Sequence, residues 1–179
     1  VTSESVNIGH PDKTCDYIAD AFLDEALRQD KSSQMAVECA IKNDKLFIYG
    51  EATTKAKIDY EKIAKEILRD IGYQNQFKII KELSIQSPDI NQAVVKDVLC
   101  ANDQGIIYGY ATNESKEFMP LPIIIAHKLM LSYEKFRRQN ASYHADAKCQ
   151  VSIAYEDEKP TNIDTILISV SHDEELTNE

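Results

Sequence analysis

The first clear pattern in the chain is an amphipathic stretch from Pro11 to Gln29. Its apolar residues recur every three or four positions, which places them on one face of a helix. They are Cys15, Ile18, Ala19, Phe22, Leu23, Ala26 and Leu27. Pro11 suits the first helical position, where its missing N–H costs nothing, and Asp12 falls in the first turn, where the helix dipole favours an anion. The pattern predicts a helix over Pro11–Gln29.

The next segment alternates apolar and polar residues, as strands half-buried in a sheet do. Alternation over Met35–Ile41 and again over Leu46–Thr53, around a turn that begins at Asn43, predicts a β-hairpin. A second helical pattern follows Asp59, a suitable N-cap, and Gly72 supplies its C-terminal stop.

After this helix, apolar and polar residues alternate again over one segment, and the next segment has no regular pattern. Phe77–Ile85 predicts a third strand, and Gln86–Ala101 has turn residues without a sustained period, so we expect a long loop there. Loops of this length inside compact domains are often lids or binding segments.

The second half of the chain resembles the first in outline. Ile106–Thr112 predicts a strand, and Pro122 opens a helix that runs to about Gln139. Alternation from Ala147 to Tyr155, a turn over Asp157–Thr161 and a return strand over Ile166–Val170 then predict a second hairpin.

Each half therefore contains a helix followed by a hairpin, and in the first half a second helix covers the sheet. The chain reaches Glu179 where the equivalent helix of the second half would begin. We expect an α+β fold made of repeated units, each a small curved β-sheet covered by helices, with the second unit truncated.

Charge and composition narrow the class of protein. Among 179 residues, 20 are basic and 30 are acidic, for a net charge of −10, which argues against nucleic acid or an anionic membrane as the main partner. The longest apolar run, Ile123–Ala126, is far shorter than a membrane span. The four cysteines lack the clustering of a zinc site or disulfide framework, so we expect buried free thiols in a cytoplasmic protein.

The segment Gly9–Lys13 has the chemistry of an anion site. It places His10, Asp12 and Lys13 at a helix start, where backbone N–H groups point outward and the dipole attracts anions. Lys13 would hold a phosphate, and Asp12 a divalent cation that bridges phosphates. The alternative is structural: His10 caps the helix and Asp12 only satisfies the dipole. Composition alone favours this alternative.

Two glutamates on the predicted hairpin are further candidates. Glu51 alternates with Tyr49 and Phe47 and would suit the ammonium group of an amino acid. Glu38 lies on the face opposite Val37, and a carboxylate in apolar company is usually paired or binds a cation. For both, an edge-strand glutamate that faces water is an open alternative.

Three polar segments stand at strand ends or in the long loop. They are Gln86–Ile90, Asn102–Gly105 and Asp146–Lys148. Each is also compatible with ordinary turn chemistry. No phosphate-binding glycine loop, dinucleotide-binding glycine motif or Ser–His–Asp order is present to indicate a function.

Together, the motifs resemble those of the S-adenosylmethionine synthetase (methionine adenosyltransferase) family. The matching blocks follow the family's order, cover the whole of this chain and correspond to about the first half of the family's chain. They are Thr2–Val6, Gly9–Lys13, Gly50–Glu51, Thr53–Thr54, Gln86–Ile90, Asp103–Gly105, Gly109–Glu114, Met119–Leu121, Asp146–Lys148 and Gln150–Val151.

The resemblance implies that the sulfur of L-methionine attacks the ribose C5′ of ATP and expels the triphosphate, which is then hydrolysed to phosphate and diphosphate. Such a displacement requires charge neutralisation more than acid–base chemistry. The implied cofactors are Mg2+ and K+. The implied assembly is a homodimer with its active site at the subunit interface, or a tetramer of two such dimers, with neither nucleic acid nor membrane as partner.

The same match implies the residues on the triphosphate side. His10 and Lys148 are the implied catalytic residues, and both would contact ATP together with Asp146 and Ala147. Asp12 would be a magnesium ligand.

On the methionine side, the match implies contacts from Glu51 and Gln86, with Asp103 as a further contact. Glu38 matches the family's potassium ligand.

The family has three similar domains in a pseudo-threefold arrangement. We expect an N-terminal domain over residues 1–90, a mobile loop or linker over 91–101 and an incomplete central domain over 102–179. The chain departs from the family at Cys100-Ala101-Asn102, where the family has Gly-Ala-Gly. The segments before Gln86 and before Asp103 are also shorter than usual, and the glycine-rich segment of the family's later half is not present.

Two interpretations follow from the resemblance. The first is a portion of an S-adenosylmethionine synthetase, and the alternative is a truncated non-catalytic paralogue or fragment that binds methionine or a full-length partner subunit.

Overall fold

The computed structural model describes residues 1–85 and 105–177. Its elements are β1 (Thr2–Val6), α1 (Pro11–Gln29), β2 (Gln34–Lys42), β3 (Lys45–Thr53), α2 (Tyr60–Ile71), β4 (Lys78–Ser84), α3 (Leu121–Arg137), β5 (Tyr143–Glu156) and β6 (Lys159–His172). Two three-stranded sheets and their helices confirm the α+β class. Within these two ranges, none of the helices has the length and apolar character that crossing a membrane requires.

The chain divides into two compact units. The terminal unit contains Val1–Lys13, Ile71–Tyr73 and Gly109–Glu179, and the inner unit contains Thr14–Asp70 and Gln74–Tyr108. The predicted linker over 91–101 lies outside the described residues, so the domain boundaries proposed from the sequence stay a prediction.

The inner unit has a sheet of order β2-β3-β4. The hairpin β2–β3 is antiparallel, and β4 runs parallel to β3. Buried residues from α1, the hairpin and α2 form the core: Cys15, Ile18, Phe22, Ala26, Val37, Leu46, Ile48, Ala64, Ile67 and Leu68. The rings of Phe22 and Tyr60 meet edge to face, with centroids 4.9 Å apart.

The capping predictions for α2 are confirmed. Asp59 Oδ1 accepts a hydrogen bond from the Lys62 N–H at 3.1 Å, as an N-cap does. Gly72 follows the last helical residue with φ 109°, a left-handed conformation that favours glycine.

The terminal unit has an antiparallel sheet of order β1-β5-β6, with α3 packed on one face. Ala126 and Met130 of α3 contact a buried row from β5, made of Ala147, Cys149, Val151 and Ile153. Because successive strand residues point to opposite faces, Asp146 and Lys148 lie on the face away from α3, and both are exposed.

Two sequence predictions need correction, and one strand was missed. Ile106–Thr112 forms no strand, and Ile107 is 98% exposed. The segment pairs with no strand of the described residues, and β-propensity without a pairing partner does not produce a strand. The second hairpin turn is only Asp157-Glu158, both at positive φ, which matches the twist of the flanking strands. β1 was not predicted at all.

The free-thiol prediction is confirmed for three cysteines. Cys15 and Cys149 are buried and Cys39 is half-buried, and none of the three forms a disulfide. Burial raises the pKa of Cys39 to about 12, so this thiol is unreactive near neutral pH. Cys100 lies outside the described residues.

Candidate functional site

Strand β1 carries the N-terminal motif to β5. Val6 pairs with Lys148, and the pairing continues past the strand: the Asn7 N–H donates to Ala147 O at 2.8 Å and the Gly9 N–H to Ala145 O at 3.2 Å. Residues 6–9 therefore lie alongside residues 145–148, far apart in sequence, and the segment Gly9–Lys13 begins next to Ala145.

The register of this pairing decides which side chains share a face. Ser5 pairs with Cys149 on the α3 side of the sheet, and its hydroxyl lies 2.8 Å from Nδ1 of His127 on α3. Val6 and Lys148 lie on the opposite face. The side chain of Ala147 is buried in the core, so any ATP contact from this residue would use its main chain.

The turn before α1 is closely fitted at Gly9. A Cβ there would lie 2.5 Å from the Ala145 carbonyl carbon, so no other residue fits without moving the backbone. The Tyr73 hydroxyl donates to Gly9 O at 2.7 Å, and the His10 N–H donates to Asn7 O at 3.0 Å. These contacts fix the point at which His10 leaves the sheet and α1 begins.

His10 has a vacant hydrogen-bonding position. Its Nδ1 is buried and has no hydrogen-bond partner among the described residues. Buried polar atoms are almost always paired, so an unpaired one at a helix start points to an outside partner. Lys13 Nζ lies 3.5 Å from Val6 O, the residue opposite Lys148, and Asp12 is exposed in the first turn of α1. An imidazole, two ammonium groups and a helix N-terminus suit a polyphosphate.

The two acidic residues implied as metal ligands, Asp12 and Glu38, differ in their surroundings. The described ranges contain no cluster of three or more His, Cys, Asp or Glu side chains able to hold a metal. Magnesium usually keeps several waters and takes one or two carboxylates plus substrate phosphates, so Asp12 alone fits such a substrate-bridged ion. Glu38 is exposed on an edge strand, which agrees with its structural alternative.

The two glutamates of the hairpin share one face of the inner sheet. Glu38 pairs with Tyr49, and Glu51 pairs with Ala36, so both side chains point away from buried Val37. Glu51 is half-buried, which agrees with the prediction that its face is not simply solvated. Gln86 and Asp103, the other residues implied for methionine, lie outside the described residues.

The turn over residues 7–10, here called the His10 turn, is held by side chains that the sequence analysis did not identify. Asn7, Tyr73 and Glu134 belong to no motif, and nothing in their local pattern distinguishes them from ordinary surface residues. Their role depends on contacts that only the folded terminal unit creates.

Comparisons with known proteins cover the whole chain. The model of the S-adenosylmethionine synthetase N-terminal domain matches residues 1–98, and that of the central domain matches residues 98–179. The S-adenosylmethionine synthase of Mesoplasma florum is 47% identical over 190 aligned positions, which cover 99% of this chain and 50% of the relative.

Two other relatives named S-adenosylmethionine synthase give similar values. That of Mycoplasma capricolum subsp. capricolum is 45% identical, over 96% of this chain and 48% of its own. That of Prochlorococcus marinus strain MIT 9215 is 43% identical, over 99% of this chain and 49% of its own. The chain spans about half the length of the curated relatives it matches.

Proposed function

Because the chain belongs to the S-adenosylmethionine synthetase family, we propose that it acts as a methionine adenosyltransferase on ATP and L-methionine. The methionine sulfur donates an electron pair to C5′ of ATP, the S–C5′ bond forms, and the C5′–O bond breaks as the triphosphate leaves with its electrons. Water then cleaves the triphosphate to phosphate and diphosphate. The supporting observation is the pairing of residues 6–9 with residues 145–148, which brings the backbone that leads into His10 alongside the strand that carries Lys148.

The triphosphate side of the proposed site belongs to the terminal unit. His10 would donate a hydrogen bond near the breaking bond, and Lys148 would offset the charge that develops on the leaving triphosphate. Preorganised donors of this kind are often the largest contribution to such catalysis. Asp146 and the main chain of Ala147 would contact the nucleotide from the adjoining positions of β5.

The methionine side is proposed from Glu51, whose half-buried carboxylate suits the substrate ammonium group. Gln86 and Asp103 join it on the family resemblance alone. A magnesium ion held by Asp12 would add positive charge to the phosphates. Glu38 stays proposed as a potassium ligand on the sequence match, and the cytoplasm, a homodimer and a tetramer are proposed on the same basis.

Product formation tests this proposal directly. The protein is incubated with ATP, labelled methionine, Mg2+ and K+, and S-adenosylmethionine, phosphate and diphosphate are measured. Formation of all three in equal amounts supports the reaction. Methionine binding without any product would refute it and would favour the non-catalytic alternative.

Asp12→Asn is expected to raise the magnesium concentration needed for half-maximal activity by about tenfold, because an amide oxygen carries no charge toward the ion. The measurement is the initial rate against magnesium concentration at fixed ATP. Asp24→Asn, an exposed position of the same helix, is the matched control. An unchanged magnesium dependence in Asp12→Asn would remove Asp12 from the metal site.

Glu51→Gln is expected to weaken methionine binding by about tenfold, since the substrate ammonium group loses its ion pair and keeps only a hydrogen bond to an uncharged amide, while ATP affinity stays nearly intact. Equilibrium binding of each substrate checks this. Glu82→Gln provides the control, because Glu82 is exposed on β4 of the same sheet. Equal losses for ATP and methionine would show that Glu51 does not select the amino acid.

A further inference from the structure

A side chain outside every recognised motif connects the His10 turn to two other elements. The Asn7 amide donates one hydrogen bond to Glu134 Oε2 of α3 at 2.7 Å and one to Ala145 O of β5 at 2.9 Å. Asn7 is only 3% exposed. An asparagine amide has two N–H donors, and both are used here, on different elements. Asn7 therefore bridges the helix and the strand at the level where His10 leaves the sheet.

The acceptor of this bridge is itself held in place. Arg137 donates to both oxygens of Glu134, at 2.6 and 2.7 Å, and Arg138 donates to Oε1 at 2.7 Å. Arg137 also donates to Ile71 O at 2.7 Å, and its side chain is 8% exposed. Burial opposes the ionised carboxyl, but hydrogen bonds from Arg137 and Asn7 hold the pKa of Glu134 below its usual range. The carboxylate is thus charged and oriented at neutral pH.

The geometry points to Glu134 as a positioning residue that acts through Asn7 to fix the turn that carries His10 against Ala145 of β5, and so sets the affinity for a polyphosphate. This role rests on the proposed function, because it assumes that these residues receive the triphosphate of ATP. The contact is indirect: Glu134 orients Asn7, Asn7 holds the turn to Ala145, and the turn carries His10. Neither Glu134 nor Asn7 touches the substrate.

The position of the bridge explains why it would matter for binding. Beyond Val6, the turn is held to β5 by only two backbone hydrogen bonds of those described, from Asn7 and Gly9. The Asn7 side chain adds a third hydrogen bond to the same strand, at Ala145 O. It also makes the only hydrogen bond among the described residues that connects this turn to Glu134. In a preorganised site, misplacement of a group by about 1 Å can lower the reaction rate about a hundredfold, and a group that binds phosphate depends on its position in the same way.

Asn7→Ala tests the bridge while leaving the Glu134–Arg137 pair intact. The probe is inorganic tripolyphosphate with magnesium, measured by calorimetry at fixed ionic strength. We expect about tenfold weaker binding, together with faster hydrogen exchange at the Gly9 amide. Asn140→Ala is the matched control, because Asn140 donates to Phe136 O in the same unit, away from the turn. It should bind tripolyphosphate as the wild type does.

A pair of substitutions at Glu134 separates positioning from mere stability. Glu134→Gln keeps an oxygen that accepts from Asn7 and should largely preserve tripolyphosphate affinity. Glu134→Leu removes the acceptor and should lose affinity to the same extent as Asn7→Ala. A lowered melting temperature with wild-type affinity in the folded Asn7→Ala or Glu134→Leu protein would overturn the positioning role. Failure of the wild type to bind tripolyphosphate would instead refute the proposed phosphate site.

Discussion

His10→Asn should lower kcat by a factor of about 10² to 10³, the usual consequence of losing one donor aimed at developing charge. The Nδ1 of His10 is buried without a described partner, in the turn that follows the pairing of β1 with β5. This nitrogen is therefore available to the leaving triphosphate, and the asparagine amide that replaces the ring cannot carry a positive charge. The measurement is the initial rate of S-adenosylmethionine formation at saturating ATP and methionine.

The control for this substitution is His172→Asn, at the last position of β6. It changes the same side chain outside the proposed site and should leave kcat near the wild-type value. A near-normal kcat for His10→Asn would remove His10 from the mechanism. An increase confined to the KM for ATP would mean that His10 binds ground state and transition state equally.

The inner unit shows which parts of the fold can be predicted from sequence. The helix over Pro11–Gln29, the hairpin after it and the helix capped by Asp59 are all confirmed. Each depends on local chemistry: a period of apolar residues, a cap within three residues, or a turn of two residues. Structure that depends on residues close together in the sequence can therefore be predicted from the local sequence pattern.

Strand β1 shows what local pattern cannot reveal. Thr2–Val6 is nearly all polar between its ends and has no apolar alternation, yet it pairs along its whole length with β5. Ile106–Thr112 has strong strand-forming residues and forms no strand. In both cases, pairing with a distant partner decides the outcome and propensity does not.

The candidate site was likewise predicted in part: its motifs could be recognised in the sequence, but their spatial arrangement could not. The motif around His10 was recognisable, and the family resemblance implied Asp146–Lys148, but only the register of β1 with β5 shows how they meet. Asn7 and Glu134 could not be identified from the sequence, because a hydrogen bond between residues so far apart produces no local sequence pattern. Glu38 is the opposite case, because it was identified by its sequence match to a potassium ligand. Its carboxylate is exposed, and this exposure does not by itself make a potassium site.

Gly9→Ala should be the most damaging small substitution in the terminal unit. Its new Cβ would lie 2.3 Å from Ala145 Cβ, 2.5 Å from the Ala145 carbonyl carbon and 2.7 Å from its oxygen, so the turn must move away from β5. Overpacking of this kind costs about 1–3 kcal/mol of unfolding free energy. Displacement of His10 should weaken tripolyphosphate binding by about a hundredfold. Urea unfolding and calorimetry measure the two effects.

Gly109→Ala is the control, because a Cβ at Gly109 meets no atom within 4 Å. The double variant Gly9→Ala with Ala145→Gly then separates the two sources of the clash. It removes the contact between the two Cβ atoms but leaves the contacts with the Ala145 carbonyl, so tripolyphosphate affinity should recover only in part. Complete recovery would show that the Ala145 side chain alone requires glycine at position 9, and the backbone approach described here would then be wrong.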